Sequence, residues 1–139
     1  MKILNMIDTS GGISAEAFES AKFDIVHQLS EENEVAIGCF DMELHNFKEV
    51  KTVDDIKKYQ MDGDGGTLLQ RPLKDAIDRF GTPHRIVIFS DFFLCDVSYE
   101  YLNSLTDAGV ELVLVKIGDN DCVWDIVDIP IATILKQGE

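Results

Sequence analysis

The stretch ILNMIDTSGGIS, residues 3–14, carries an apolar run into an acid, two hydroxyls and two glycines. Residues 3–7 have the length and apolar character of a buried strand. Gly11 and Gly12 supply the freedom for a sharp turn, and Ser14 suits the N-cap of a following helix. Neither a turn nor a helix start calls for an acid at the strand tip. Asp8 is therefore the first residue in the chain with a claim to chemistry.

Working outward, SAEAFESAKFDIVHQL (14–29) reads as a helix capped by Ser14, with Phe18, Ala21, Ile25 and Leu29 on one face. EVAIGCF (34–40) is a second strand, and ELHNFKEV (43–50) alternates like a third across a tight turn at Asp41 and Met42. VDDIKKY (53–59) predicts a short helix, DGDGG (62–66) a loop, and residues 68–80 a helix that tolerates Pro72 only in its first turn. RIVIFS (85–90) is a continuous apolar strand, the mark of a sheet covered on both faces. SYEYLNSLTDAG (98–109) predicts a helix stopped by Gly109, VELVLVKIG (110–118) a further buried strand, and DIPIATIL (128–135) a last one. Strands alternating with helices imply an α/β fold. We expect a doubly wound, mostly parallel central sheet with helices on both faces and one antiparallel hairpin strand, all in a single domain over residues 1–139.

Composition narrows the function. Hydrophobic residues make up 45% of the chain and charged ones 27%, ordinary for a globular protein. No apolar run approaches the roughly 20 residues of a membrane span, and the short apolar start lacks the cleavage site of a signal peptide. A cytoplasmic location and no membrane partner follow as expectations. With Met1 so near the first strand, the chain reads as a complete small protein. The formal charge of −14 repels phosphate backbones, and Lys57 with Lys58 is too small a basic patch to reverse it, so nucleic acid is not an expected partner. Cys39, Cys95 and Cys122 are odd in number and lack C-x-x-C spacing, which argues against zinc and disulfide frameworks. Cys39 reads as a small buried hydrophobe and Trp124 as a core or edge aromatic. His27, His45 and His84 are scattered, with surface or capping roles expected.

In open α/β sheets, ligands bind beyond the carboxyl ends of the strands. Asp8 and Asp91 both follow such ends, and the DGDGG loop leads to a helix start that can face the same edge. Asp8, Ser10, Thr67 and Asp91 offer only oxygen, a donor set suited to hard cations. Two carboxylates so close repel each other unless a cation or hydrogen-bond donors stand between them.

These residues resemble a known family. DTSGGIS, GDGGT and FSDF are similar to the three loops of the von Willebrand factor type A (VWA) fold, whose metal-ion-dependent adhesion site reads D-x-S-x-S, then Thr, then Asp. The resemblance spans the chain in order and spacing. It is nearest to bacterial VWA-like domains that follow a metallopeptidase-like region and carry a DTSGS loop, then GGGT with a proline a few residues on. Thr67 and Pro72 stand in that relation here. The resemblance implies Ser10 and Thr67 as direct hydroxyl ligands of Mg²⁺ or Mn²⁺, with Asp8 and Asp91 acting directly or through water. It also implies a non-enzymatic domain that binds another protein by letting a partner carboxylate complete the cation's coordination. Gly12 departs from the pattern at the second serine, which implies weak metal binding. SDFF replaces the commoner TDG and puts Phe92 and Phe93 beside Asp91, where they would help select the partner.

Two alternatives stay open. A haloacid-dehalogenase-like phosphatase would use Asp8 as nucleophile, Ser90 on the phosphate, Lys116 as cation and Asp119 with Asp121 on magnesium. That family wants D-x-D, however, and Ser10 stands where its general acid belongs. The second alternative is a vestigial metal site with binding elsewhere on the surface. Phosphate-loop and nucleophile-elbow readings fail, the first for want of its lysine, the second because Asp8 replaces a required glycine. No residue pattern decides the oligomeric state.

Overall fold

Alternation along the first strand sets the architecture. In the computed structural model, which describes residues 1–92, 99–117 and 133–136, β1 (Lys2–Asp8) sends Ile3 and Ile7 to one face of the sheet and Leu4 and Met6 to the other. Each set nucleates its own core layer. On the first face α1 (Ala15–Val26) buries Phe18, Ala21 and Ile25, joined by Ile56 of α2 (Val53–Lys57). On the second, α3 (Gln70–Phe80) buries Leu73, Ala76 and Phe80, and α4 (Tyr99–Asp107) buries Leu102. Both faces are covered, which is why β4 (Arg85–Ser90) is apolar without alternation.

The sheet runs β3-β2-β1-β4-β5-β6, with β2 at Glu34–Phe40, β3 at Leu44–Val50, β5 at Glu111–Lys116 and β6 at Thr133–Lys136. Every pairing is parallel except β2 with β3, the expected hairpin. This is the doubly wound α/β sandwich anticipated from the pattern. Chain direction reverses its march across the sheet between β1 and β4, whose strands pair from Ile3↔Arg85 to Ile7↔Phe89. Their carboxyl ends therefore form the crevice where such sheets bind ligands.

Local chemistry moved several boundaries. The Ser14 hydroxyl caps α1 by accepting from the Ala17 N–H at 3.1 Å. The helix ends at Val26, not Leu29, because the His27 N–H turns back to Asp24 and Ile25 carbonyls. α3 starts at Gln70 rather than Leu68, and the Leu68 N–H donates to the Asp41 carbonyl at 2.9 Å. Pro72 falls in its first turn, where no N–H is needed. The hairpin carries an irregularity between Ile37 and Cys39, with Asn46 opposite at φ 51°. Cys39 is fully buried, as expected of a small hydrophobe. His84 has a structural role, its Nδ1 accepting the Lys2 N–H at 2.9 Å. Phe93, Cys95, Asp119, Asp121, Cys122, Trp124 and the first part of the last expected strand lie outside the described residues. Among the described residues, no helix is long and apolar enough to cross a membrane.

Candidate metal centre

Asp8 ends β1 fully buried, and both of its carboxylate oxygens are engaged. Oδ1 accepts the Ser10 N–H at 2.8 Å, and Oδ2 accepts the Ser90 hydroxyl at 2.7 Å. The first bond is an Asx-type turn that bends the chain over the strand tip. The second crosses from the end of β4 and joins the two halves of the crevice. Burial pushes the Asp8 carboxyl up. The Ser10 N–H and the Ser90 and Ser10 hydroxyls oppose that rise without cancelling it, and the charge of Asp91 adds to it.

Asp91 follows β4 directly and is buried, as are Ser10 and Thr67. Thr67 belongs to the loop 62–69, which lies over the same sheet edge. The Gly11 N–H donates to the Gly65 carbonyl at 3.2 Å, and the Thr9 hydroxyl donates to the Asp62 carbonyl at 2.5 Å. The structure thus gathers Asp8, Ser10 and Asp91 at the β1/β4 crevice and sets the Thr67 loop against them. Among the described residues no three His, Cys, Asp or Glu side chains form a metal cluster. The residues considered for this edge carry two acids and two hydroxyls instead, donor types that suit a hydrated hard cation and not zinc.

The two departures from the D-x-S-x-S and TDG patterns have different outcomes. Among the described residues a Cβ on Gly12 would meet only Asp91 Oδ2, at 3.6 Å, and the Gly12 backbone lies outside the left-handed region. A Cβ at this position would thus face Asp91 with no clash among the described residues. Phe92 occupies the glycine position of TDG at φ 58°, a conformation that glycine adopts freely and phenylalanine does not. Its N–H donates to Ser90 Oγ at 2.9 Å, and its side chain, only 5% exposed, packs into the α3 face of the core. The expectation that Phe92 borders the site as a selectivity residue is corrected: its left-handed backbone turns the ring inward. Phe93 is outside the described residues.

Three further residues belong to this edge. Ser90, a phosphate ligand in the phosphatase alternative, is here one of two donors to Asp8. Asp41, just beyond β2, accepts N–H groups from Glu43 at 2.9 Å and Gly65 at 3.2 Å, and His45 Nε2 lies 2.8 Å from its Oδ1. An acid at the tip of the strand beside β1 was the available signal for Asp41. Nothing in the sequence marked His45. Lys116, the cation of the phosphatase alternative, is buried with Nζ donating to the Ile117 carbonyl at 3.3 Å. A cavity of about 710 Å³ opens at the opposite edge of the sheet, among Leu29, Glu34, Val50 and Thr52, away from all of these groups.

A sheet wound in this order, with an acid and hydroxyl loop at its switch point, defines a VWA-type domain. Residues 3–104 match the family described as VWA-like domain (DUF2201), and the chain belongs to that family. No curated protein sequence matches it significantly. Among solved structures it is similar to an aerotolerance-related membrane protein from Bacteroides fragilis bearing multiple mutations to serine. The TM-score is 0.69 at 16% identity, over 87% of this chain and 69% of the other. It is also similar to the conserved hypothetical protein BatB from Bacteroides thetaiotaomicron, with TM-score 0.74 and 11% identity over 98% and 89% of the two chains. The ArnB paralog VWA2 from Sulfolobus acidocaldarius gives TM-score 0.57 at 14% identity, over 98% of this chain and 40% of that one. At these identities the likeness is one of fold.

Proposed function

We propose that this VWA-like domain is a non-enzymatic protein-binding module that uses a weakly held Mg²⁺ or Mn²⁺ to capture an acidic side chain of another protein. Ser10 and Thr67 would supply hydroxyl oxygens to the cation, with Asp8 and Asp91 binding directly or through water. The cation would polarise an open coordination position, and a partner Glu or Asp would fill it. The observation that carries this reading is the gathering of two buried carboxylates, Asp8 and Asp91, at the sheet's switch point beside hydroxyl-bearing loops. Burial that raises the Asp8 carboxyl above its ordinary range supports it too, because a bound cation is what would favour the charged form. Gly12 leaves the set one hydroxyl short, hence the weak affinity. We take the domain to act in the cytoplasm, where Mg²⁺ is the abundant divalent cation.

Calorimetric titration with Mg²⁺, Mn²⁺ and Ca²⁺, run on the wild type and on Asp8→Ala, tests the reading. Saturable binding lost in the variant is expected. No binding to the wild type would mean a vestigial site and send the search for function to another surface. A parallel assay on a generic phosphate ester separates the enzymatic alternative. Mg²⁺-dependent turnover lost in Asp8→Ala would replace this reading with the phosphatase one.

A further inference from the structure

Asp41 is joined to both sides of Thr67. Its carboxylate Oδ2 accepts the N–H of Gly65, two residues before Thr67, and its carbonyl accepts the N–H of Leu68, the residue after it. The loop that carries Thr67 is therefore held at two points by one residue at the tip of β2. The same Gly65 passes the connection on, because its carbonyl accepts the Gly11 N–H at 3.2 Å, next to Ser10. Asp41 is itself held in place. Oδ1 accepts the Glu43 N–H and lies 2.8 Å from His45 Nε2, while His45 Nδ1 lies 4.0 Å from the Asp62 carboxylate on the far side of the ring. Close glycine packing accompanies the arrangement. A Cβ on Gly63, whose φ is 112°, would stand 2.7 Å from the Thr9 hydroxyl, and one on Gly65 would stand 3.2 Å from Asp41 Oδ2.

We propose that Asp41, which lies outside the oxygen donor set, is the positioning residue of the candidate metal centre: supported by His45, it locks the Thr67 loop onto the Asp8–Gly12 turn. The proposal rests on reading that edge as a cation site, and it deepens that reading by naming what holds the third loop in register. Loops of glycine and short polar residues lose much conformational freedom when ordered. A cation that had to order residues 62–67 on binding would bind more weakly than one meeting a loop already in place. Asp41 supplies that order in advance, through the strand tip and not through the metal.

Two measurements on the full chain test this. In cation-free protein, amide hydrogen exchange is followed at Gly65, Leu68 and Gly11 in the wild type and in Asp41→Ala. Mn²⁺ affinity is read in parallel from the electron paramagnetic resonance signal of free Mn²⁺. The expected result for Asp41→Ala is exchange about tenfold faster at Gly65 and also at Gly11, with Mn²⁺ affinity lower by about tenfold, the low end for residues that orient ligands without touching the ion. Asp41→Asn keeps one acceptor oxygen and should recover part of both effects. Faster exchange confined to Gly65, with Gly11 and Mn²⁺ affinity unchanged, would overturn the proposal and leave Asp41 a local turn residue. Should Asp41→Ala fail to fold, His45→Leu removes only the ring that steadies the carboxylate. It should move both readouts in the same direction by a smaller factor, and no change in either would again overturn the proposal. A wild type that takes up no Mn²⁺ breaks the reading of the site as a cation centre. Gly11 exchange alone then decides whether Asp41 joins the two loops.

Discussion

Asp8 and Asp41 stand at the tips of neighbouring strands, β1 and β2, and their carboxyls are driven in opposite directions. Both are buried. For Asp8 burial is the largest influence, and the Ser10 N–H and the Ser90 and Ser10 hydroxyls do not offset it, so the carboxyl is pushed above its ordinary range. For Asp41 burial also opposes the charge. The Glu43 and Gly65 N–H groups and the His45 ring outweigh it, holding the carboxyl down to about 2. The difference lies first in how heavily burial weighs on Asp8, which its Ser10 and Ser90 donors do not offset and to which the charge of Asp91 adds; at Asp41 the Glu43 and Gly65 N–H groups and the His45 ring outweigh burial. Asp41 is held in its charged form by the fold, whereas the fold disfavours the charged form of Asp8.

The most severe test removes Asp8. Asp8→Ala should abolish divalent-cation binding in calorimetry. In cation-free protein the more conservative Asp8→Asn should be at least as stable as the wild type at pH 7. A marked fall in its melting temperature would show that Asp8 is as satisfied as Asp41 and erase the contrast. Next comes Asp41. A carboxyl lowered from 3.8 to about 2 contributes about 1 kcal/mol at neutral pH once solvent screening is allowed for. Because the folded value is the lower one, this stability is present above pH 3.8 and is lost as pH falls through about 2. Asp41→Ala should therefore melt well below the wild type at pH 7, and urea titrations should show the gap closing toward pH 2. Asp8 has the reverse sign. Its folded carboxyl holds a proton more tightly than the unfolded one does, so cation-free wild type should lose stability as pH rises above about 3.8, and Asp8→Asn should not.

Gly12→Ser restores the hydroxyl that the adhesion-site pattern has and this chain lacks. Its Cβ finds ordinary contact with Asp91 and no backbone strain. A preorganised ligand replacing one bound water should tighten Mn²⁺ binding by about 1–2 kcal/mol, roughly five- to thirtyfold. A variant that folds normally and binds no better would mean the site is vestigial. The smallest effect on cation binding belongs to Ser90→Ala. It removes two buried hydrogen bonds, one to Asp8 and one from the Phe92 N–H, at about 1 kcal/mol of stability each. It should also weaken Mn²⁺ binding less than Asp41→Ala does, since Ser10 still holds Asp8. A larger loss of affinity from Ser90→Ala would shift the positioning role from the hairpin tip to β4.

Most of the architecture was legible because burial on both faces writes itself into composition. RIVIFS can only be a covered strand, and its neighbours ILNMI and ELVLV repeat the signal, so element order and parallel winding followed from pattern alone. Asp8, Ser10, Thr67 and Asp91 were legible as oxygen donors at strand ends and in a glycine loop. Helix ends were not. Leu68, expected in α3, lies before it and is tied to the carbonyl of Asp41, twenty-seven residues earlier. Propensity along the chain carries no record of so distant a partner.

What the sequence determined by itself was periodicity and donor chemistry: which segments bury two faces, and which residue types wait at the strand ends. Tertiary structure alone decided which acid has its carboxyl pushed up and which has it held down. Asp8 and Asp41 look alike in sequence, each an acid after an apolar strand. Only the fold brings Gly65 and His45 to one and Asp91 to the other. It likewise decided that Phe92 turns into the core, because a left-handed backbone after Asp91 is imposed by the crevice and its Ser90 hydrogen bond, not by the preference of phenylalanine. Hydrogen bonds and charges between residues far apart in the chain act through distance in space, and that distance exists only once the sheet has formed.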